Sequence, residues 1–269
     1  MTPVEPRPAA SVLLVRSSAP GAPEPIEVYM IRRQKGMKFL GGFYAFPGGK
    51  VDPGDAAPEA LARCRGLSPA EADAIFGSGA AAPPIAHWVT VVRELLEESG
   101  ILLACDEGGR AIDAGGPDTR EAIVRVRKEL MAGAAPFATL LGREGWCCDL
   151  RPLRYLSHFV TPRSSPIRFS AGFFLCPVPA AQAPVLFTEE TSEGFWIHPG
   201  EGYRRFRAGE MAMAEPAEYG LAYLAQFGSL DEVWAAHADG RHKIHGIIHL
   251  IDEFWETFDW DQKTWKPTP

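Results

Sequence analysis

The segment 85–99 constrains the fold most, because its apolar residues recur at helical spacing while its acidic residues gather on the other side. One broad stripe of the helical wheel holds the apolar residues Ile85, Trp88, Val89, Val92, Leu95 and Leu96. Glu94, Glu97 and Glu98 lie roughly opposite this stripe, and Gly100 supplies a C-terminal stop. The pattern predicts a helix over Ile85–Ser99 that buries one side and presents three carboxylates on the other.

Three carboxylates at these spacings repel one another. The repulsion costs roughly a few tenths of a kcal/mol per pair, and no lysine is interleaved among them. A divalent cation that prefers oxygen ligands, Mg²⁺ or Mn²⁺, would remove the repulsion. The alternative is an ordinary amphipathic helix whose acidic side faces water, and the helix alone does not decide between the two.

A glycine-rich stretch upstream favours the metal hypothesis. Phe46-Pro47-Gly48-Gly49 predicts a sharp turn with room for a close backbone approach. Asp52 and Asp55 follow it directly and add two further carboxylates. The two stretches therefore predict one acidic site built from distant parts of the chain.

Strand and helix signals along the chain predict a mixed-sheet α/β fold. Strand-like segments are Ser11–Arg16, Ile26–Arg33, Arg154–Thr161 and Arg168–Cys176. Residues 1–9 are expected to be loose, residues 10–215 to form the main domain, and residues 216–269 to form a helical extension packed on it. Within the Ala/Gly/Pro-rich segment 56–84, Ser68 predicts a helix start, with proline next and glutamate three residues later.

Composition excludes several classes of protein. The net charge of −7 argues against a general nucleic-acid binder, and no apolar run is long enough to predict a membrane span. The five cysteines show no CxxC spacing and predict reduced thiols, so we expect a cytoplasmic protein.

The aromatic C-terminal residues predict packing onto the core or onto a second subunit in a homodimer.

The two stretches together resemble the signature of the Nudix hydrolases, Gx5Ex7REUxEExGU, in which U is aliphatic. The segment Arg93–Ile101 matches the second half at every fixed position, and Gly49 matches the first glycine. The chain departs from the signature at Asp55, where the family has Glu. It also departs in spacing, with 37 residues between Asp55 and Arg93 where the family has seven. The segment 56–84 is thus an insertion inside the motif.

A similar insertion marks the subgroup of Nudix hydrolases that includes the peroxisomal coenzyme A diphosphatase, and this chain resembles that subgroup. Segments Pro136–Gly142, His158–Phe174 and Tyr219–Ala236 also resemble this subgroup. The resemblance implies a Nudix α/β/α sandwich with a mixed sheet, a helical insertion within the motif and a C-terminal helical extension.

The resemblance also implies a reaction, the hydrolysis of a diphosphate linked to another group with Mg²⁺ or Mn²⁺ as cofactor. The implied metal ligands are Glu94, Glu97, Glu98 and the backbone of Gly48. Glu94 and Glu98 would be catalytic, Arg93 would orient a glutamate, and Gly48 and Gly49 would present backbone groups to the metal and the phosphates of the substrate. A second candidate base is Glu190, because loops over a rigid site often supply one; the alternative there is a solvated acidic loop.

The substrate prediction rests on a basic cluster before the glycine-rich turn. A motif described for coenzyme A diphosphatases, LLTxRSx3Rx3Gx3FPGG, matches in part, with Arg33 and Lys38 at its basic positions. These two residues, and Arg168 further along, are candidates to bind an extra phosphate such as the 3′-phosphate of coenzyme A. The alternative is a basic turn that faces water.

The predicted function is therefore coenzyme A or acyl-coenzyme A diphosphatase. One alternative is a pyrophosphatase for ADP-ribose, NADH or oxidised nucleotides. Another is a non-catalytic, nucleotide-binding module that keeps the Nudix fold.

Overall fold

The computed structural model describes residues 4–77 and 82–238, together with three short strands nearer the C-terminus. The strands are β1 (Arg7–Ser17), β2 (Ile26–Arg33), β3 (Tyr44–Ala45), β4 (Gly48–Lys50), β5 (Cys64–Arg65), β6 (Ala104–Asp106), β7 (Trp146–Asp149), β8 (Arg154–Val160), β9 (Phe169–Pro177), β10 (Thr191–Ile197), β11 (Ile247–His249), β12 (Phe258–Asp259) and β13 (Thr264–Trp265). The helices are α1 (Pro58–Ala62), α2 (Pro69–Phe76), α3 (Pro84–Ser99), α4 (Pro117–Met131), α5 (Phe137–Arg143), α6 (Pro199–Arg207), α7 (Glu215–Leu224) and α8 (Leu230–Ala236). A single 3₁₀ turn at Pro53–Ala56 precedes α1.

The main sheet is mixed, and β1 lies at its centre. Its strand order is β10-β2-β1-β9-β8-β11, with β3 paired to β2 and β4 paired to β1. Strand β1 runs parallel to β9 and antiparallel to β2 and β4. Val12, Leu13, Leu14 and Val15 are all fully buried, which is typical of a strand covered on both faces.

Two hydrophobic clusters cover the two faces of this sheet. On one face Leu14 and Ile31 pack with Trp88 of α3. On the other, Leu13 packs in a cluster that includes Leu221 of α7. Successive strand residues point to opposite faces, so each strand contributes to both layers. This arrangement confirms the predicted α/β/α sandwich.

Helix α3 is buried more completely than its amphipathic pattern predicts. It ends at Gly100, whose φ of 71° is left-handed, so the predicted C-terminal stop is confirmed. Glu94 and Glu98, however, are only 8% and 7% exposed. Strand β4 and the 3₁₀ turn pack against this part of α3. The expectation of a helix buried on one side only was wrong, because the acidic side faces protein.

The insertion 56–84 begins beside α3, as the split motif requires. Oδ2 of Asp55, just before the insertion, lies 2.8 Å from Oγ1 of Thr90 on α3. The predicted helix start is confirmed: the Ser68 hydroxyl accepts the Glu71 N–H, and the Glu71 carboxylate accepts the Ser68 N–H. The two halves of the motif therefore meet although the insertion separates them in sequence.

The insertion is more than a helical excursion on the surface. Its strand β5 pairs with β7 in a small sheet of order β5-β7-β6. Phe76 at the end of α2 is 2% exposed, and its ring centroid lies 4.5 Å from that of His87 and 4.9 Å from that of Tyr155. Aromatic contacts of this kind stabilise the packing of the insertion by more than the burial of apolar area alone. The insertion therefore contributes buried side chains to the core.

Both ends of the predicted domain scheme need correction. Residues 7–9 are not loose, because they belong to β1 and pair with both β9 and β4. The segment 216–269 is not wholly helical: after α7 and α8, strand β11 pairs in parallel with β8, and β12 pairs with β13. Strand pairing across the chain is not visible in local sequence patterns, which explains both errors.

Two expectations from composition can be compared with the structure. All five cysteines are free thiols. Within the described residues, no helix has both the length and the apolar character needed to cross a bilayer.

Burial of His87 beneath the insertion predicts a pH-dependent stability. His87 is fully buried, and burial lowers its pKa from 6.5 to about 4. The unfolded chain therefore binds the proton more tightly, so stability is present above pH 6.5 and is lost as the pH falls towards 4. We expect this group to lower the free energy of unfolding by up to about 3 kcal/mol across that window, measured by urea denaturation.

The variant His87→Gln separates this effect from the other titrations. It removes the imidazole while keeping a side chain able to donate a hydrogen bond to the Pro84 carbonyl, which lies 3.1 Å from Nδ1 of His87. The slope of stability against pH between 6.5 and 4 should become flatter in this variant. An unchanged slope would show that His87 does not titrate as its burial requires.

Candidate active site

A buried ion pair joins the two halves of the split motif. Nε and Nη2 of Arg93 donate to Oδ1 and Oδ2 of Asp55 at 3.1 and 3.0 Å. Thr90 and the backbone N–H of Asp52 lie within hydrogen-bonding distance of the same carboxylate. The side chains of Arg93 and Asp55 are 6% and 3% exposed. A two-point contact of this kind fixes both distance and orientation.

The remaining donors of Arg93 reach the acidic cluster and β4. Nη1 donates to Oε1 of Glu94 at 2.8 Å and to Oε1 of Glu97 at 3.1 Å, and Nη2 donates to the Lys50 carbonyl at 2.8 Å. A guanidinium has five N–H donors, and all of them are used. Burial alone would lower the pKa of Arg93, but the carboxylates of Asp55, Glu94 and Glu97 outweigh it and raise that pKa.

The glycine turn brings the backbone of β4 against the buried carboxylates of Glu94 and Glu98. The Gly48 N–H donates to Oε2 of Glu98 at 2.8 Å. A Cβ atom at Gly48 would overlap the Ala10 carbonyl, and one at Gly49 would overlap the Glu94 carboxylate. Only glycine allows β4 to lie this close to both β1 and α3, so the sequence signal at these two positions has a steric cause.

Burial shifts the titration of all three glutamates of the motif. It raises the pKa of Glu94 to about 7 despite the nearby Arg93, and it raises the pKa of Glu97. Burial and the charge of Glu94 raise the pKa of Glu98 well above its usual range. Burial therefore disfavours the ionised form of each glutamate, and a bound cation would favour that form.

The chemistry of these donors fits a divalent cation. Carboxylate oxygens suit Mg²⁺ and Mn²⁺, and Glu94, Glu97 and Glu98 lie on consecutive turns of one helix. Arg93 contacts Oε1 of Glu94 and Oε1 of Glu97, so it does not bind the second oxygen of either carboxylate. Within residues 4–77 and 82–238, no group of three His, Cys, Asp or Glu side chains already converges as a metal-binding cluster.

The basic residues predicted to bind substrate divide into separate groups. Arg33 lies next to Thr191 of β10, and its charge acts on Glu98. Its Nε is buried without a hydrogen-bond partner in the described part of the chain. Lys38 is exposed. Arg168 instead donates to the backbone carbonyls of Thr161 and Val4 at 3.0 and 2.6 Å, a role in holding the chain together that the sequence did not predict.

The predicted loop base lies at the acidic site. Glu190 is exposed and lines a cleft together with Glu97, Glu98 and Thr191. The backbone of the loop is held by the Gln34 N–H, which donates to the Glu190 carbonyl at 2.9 Å. The structure thus places Glu190 at the same cleft as Glu97 and Glu98.

Sequence reasoning missed one arginine in this cleft. Arg127 of α4 is 8% exposed and lines the cleft beside Glu97 and Glu98. A signal was available, because Arg127 falls within the apolar stripe that also contains Ile123 and Val126. A charged residue in such a stripe needs a buried partner.

Comparison with known proteins identifies the family. A family model described as the NUDT19 Nudix domain matches residues 6–224. The chain is a Nudix hydrolase. A crystal structure of a Nudix hydrolase from Alicyclobacillus acidocaldarius superposes with a TM-score of 0.70 at 31% identity, covering 86% of this chain and 96% of that one.

Curated Nudix relatives are more distant in sequence. The acyl-coenzyme A diphosphatase NUDT19 of Gallus gallus is 27% identical over 87% of this chain and 71% of its own length. Putative nudix hydrolase 7 of Caenorhabditis elegans is 29% identical over 84% of this chain and 62% of its own length. The chain thus spans 62–71% of the length of these two relatives. The pyrophosphohydrolase class follows from the family, whereas the substrate does not.

The departure of this Nudix hydrolase from its signature has a structural explanation. Asp55 stands where the family has Glu, and its shorter side chain still makes two contacts with Arg93. The 3₁₀ turn that carries Asp55 packs directly on α3, so the backbone lies close enough for the shorter acid to reach.

The ion pair can be tested with Asp55→Asn. The variant removes one charge and leaves Arg93 buried without its principal partner. We expect the free energy of unfolding, measured by urea denaturation, to fall by about 3 kcal/mol. Turnover should also fall, because Arg93, which binds Glu94 and Glu97, is no longer fixed by Asp55. Asp52→Asn, at an exposed position of the same turn, is the matched control and should change stability by less than about 1 kcal/mol. Equal stability of the two variants would contradict the assignment.

Proposed function

We propose that this Nudix hydrolase cleaves the diphosphate of coenzyme A or of acyl-coenzyme A in a reaction that depends on Mg²⁺ or Mn²⁺. The observation that carries the hydrolytic part is the buried Arg93, which binds Asp55 and two of the three glutamates of α3. The substrate part is supported by the match to the NUDT19 Nudix domain and by the likeness to a relative named as an acyl-coenzyme A diphosphatase.

Each residue of the site has a distinct role in this proposal. Glu94, Glu97 and Glu98 would hold divalent metal ions, which would supply charge neutralisation at the diphosphate and a more acidic water molecule. Arg93 keeps Glu94 and Glu97 on the same side of α3 through Nη1. The Gly48 N–H orients Glu98, and the absence of a side chain at Gly49 lets Glu94 lie against β4.

Glu190 is the proposed general base. It is exposed, and its negative charge is close enough to act on Glu98. A base must lie within hydrogen-bonding reach of the water that it activates. A side chain at the open rim of the cleft, above the buried glutamates, suits that role better than a carboxylate committed to Arg93.

Arg33 is the proposed contact for a substrate phosphate. Its neighbour on β2, Arg32, points to the other side of the sheet, where it pairs with Glu193 at 2.7 Å and lies over Tyr44. Arg33 lies instead on the side of Glu98, and its Nε lacks a partner among the described residues. A buried donor without a partner is costly, so a phosphate oxygen would satisfy it.

The metal-dependent reaction can be tested with Glu98→Gln. The variant keeps the shape of the side chain and removes its charge, so turnover should fall about a hundredfold or more. Added Mn²⁺ should raise the thermal midpoint of the wild type, because ligands stabilise the state that they bind, and this rise should shrink in the variant. Glu59→Gln, at an exposed position in the insertion, is the control for both measurements. Near-normal turnover in Glu98→Gln would refute the assignment.

The substrate can be tested by comparing coenzyme A with dephospho-coenzyme A, which lacks the 3′-phosphate. A charged hydrogen bond to that phosphate contributes about 1.5 to 3 kcal/mol, which corresponds to a preference in kcat/KM of roughly tenfold to hundredfold. Arg33→Ala should abolish this preference, mainly through KM. ADP-ribose, NADH and 8-oxo-dGTP complete the panel.

The outcomes separate the possible positions of Arg33. If Arg33→Ala weakens both substrates equally, the residue contacts the diphosphate and the 3′-phosphate assignment is wrong. If the wild type does not prefer coenzyme A, the proposed substrate loses its support. Arg32→Ala is the matched control, because Arg32 is committed to Glu193, and it should leave the preference intact.

A further inference from the structure

Arg127 is a buried cation that the proposed reaction does not yet use. It lies on the last turns of α4, and its side chain is 10% exposed. Its Nε donates to the backbone carbonyl of Glu97 at 2.8 Å. The last four carbonyls of a helix have no partner within the helix, and a cation near that end is favourable. Arg127 therefore holds the end of α3 that carries Glu97 and Glu98.

The same guanidinium also contacts the loop 185–191, here named the Phe187 loop. Its central carbon lies 3.2 Å from the centroid of the Phe187 ring, and its Nη2 lies 3.5 Å from Oε2 of Glu189. Stacking of arginine on an aromatic ring is favourable, and more so where water is excluded. Arg127 is thus a bridge between the metal-binding end of α3 and the loop that carries Glu190.

Hydrogen bonds to other residues hold the backbone of the Phe187 loop, whereas Arg127 contacts the side chains of Phe187 and Glu189. The Val185 N–H donates to the Ser99 carbonyl at 2.9 Å. Nε2 of Gln34 donates to the carbonyls of Thr188 and Thr191, both at 3.1 Å, and the Thr191 hydroxyl donates to the Phe187 carbonyl. The Phe187 ring lies over the C-terminal cap of α3, because a Cβ at Gly100 would be 3.2 Å from it. Stacking on Arg127 therefore adds a side-chain contact that ties the Phe187 ring to the end of α3.

We propose that Arg127 is a positioning residue, which fixes the Phe187 loop against the end of α3 so that Glu190 faces Glu97 and Glu98. The inference deepens the proposed function and rests on it for the role of Glu190. Arg127 acts through the loop and not on the substrate in this proposal, because Nε is bound to the Glu97 carbonyl and Nη2 lies beside Glu189. A displacement of about 1 Å at a catalytic group can cost on the order of a hundredfold in rate.

The test compares variants of both members of the stack by steady-state kinetics on whichever compound of the panel is hydrolysed. Arg127→Lys keeps the charge but loses the planar fork, and Phe187→Leu keeps the apolar bulk but loses the ring. Each should lower kcat roughly tenfold to hundredfold while changing KM by less than about threefold. Phe187→Tyr keeps the ring and should retain near-normal kcat. The double variant should be no worse than the poorer single variant, because the two side chains act as one unit.

A second readout does not depend on activity. Hydrogen exchange of the backbone amides in residues 185–191 should be faster in Arg127→Lys than in the wild type. Arg125→Lys is the matched control, since Arg125 lies on the same helix and pairs with Glu144 on the surface; it should change neither the exchange nor the kinetics. If no compound of the panel is hydrolysed, the proposed function fails, and the exchange measurement still decides the role of Arg127.

Three results would overturn the proposal. One is unchanged exchange in Arg127→Lys. Another is a rise in KM of about tenfold with kcat unchanged, which would indicate direct contact with the substrate. The third is a double variant whose loss equals the product of the two single losses, because independent sites add in free energy.

Discussion

The Asp55 carboxylate and the Arg93 guanidinium meet in the protein interior, where the two halves of the split motif converge. Burying either charge alone would cost several kcal/mol, and the pair is tolerated because every donor of the guanidinium has an acceptor. The pair therefore specifies an arrangement more than it adds stability. It fixes the turn that carries Asp55 on one side and the glutamates of α3 on the other.

The acidic cluster depends on this arrangement for its unusual environment. Carboxylates on a helix normally face water, but here β4 lies against Glu94 and Glu98, and two glycines make the approach possible. Burial then raises the pKa values of Glu94, Glu97 and Glu98. The protein accepts this electrostatic cost in a place where a divalent cation would remove it, as expected of a functional site.

The insertion does not disturb this geometry because its two ends both lie beside α3. It is fastened to the fold by strand pairing between β5 and β7 and by the buried ring of Phe76. Long insertions add only slowly to the entropy of loop closure, and this one also contributes apolar side chains to the core. The motif can therefore be split in sequence while its two halves remain adjacent in space.

The sequence by itself determined the local features of this protein. Helical periodicity defined α3, the residues around Ser68 defined the start of α2, and the spacing from Arg93 to Ile101 indicated the family. Such features depend on neighbours within a few residues, so local chemistry specifies them. The tertiary structure decided which side of α3 is covered and that the short side chain of Asp55 still reaches Arg93. It also decided that Arg168 binds backbone carbonyls and that Arg127 reaches the Phe187 loop. These depend on contacts between residues far apart in the chain, and only the packing of the sheet and its helices brings those residues together.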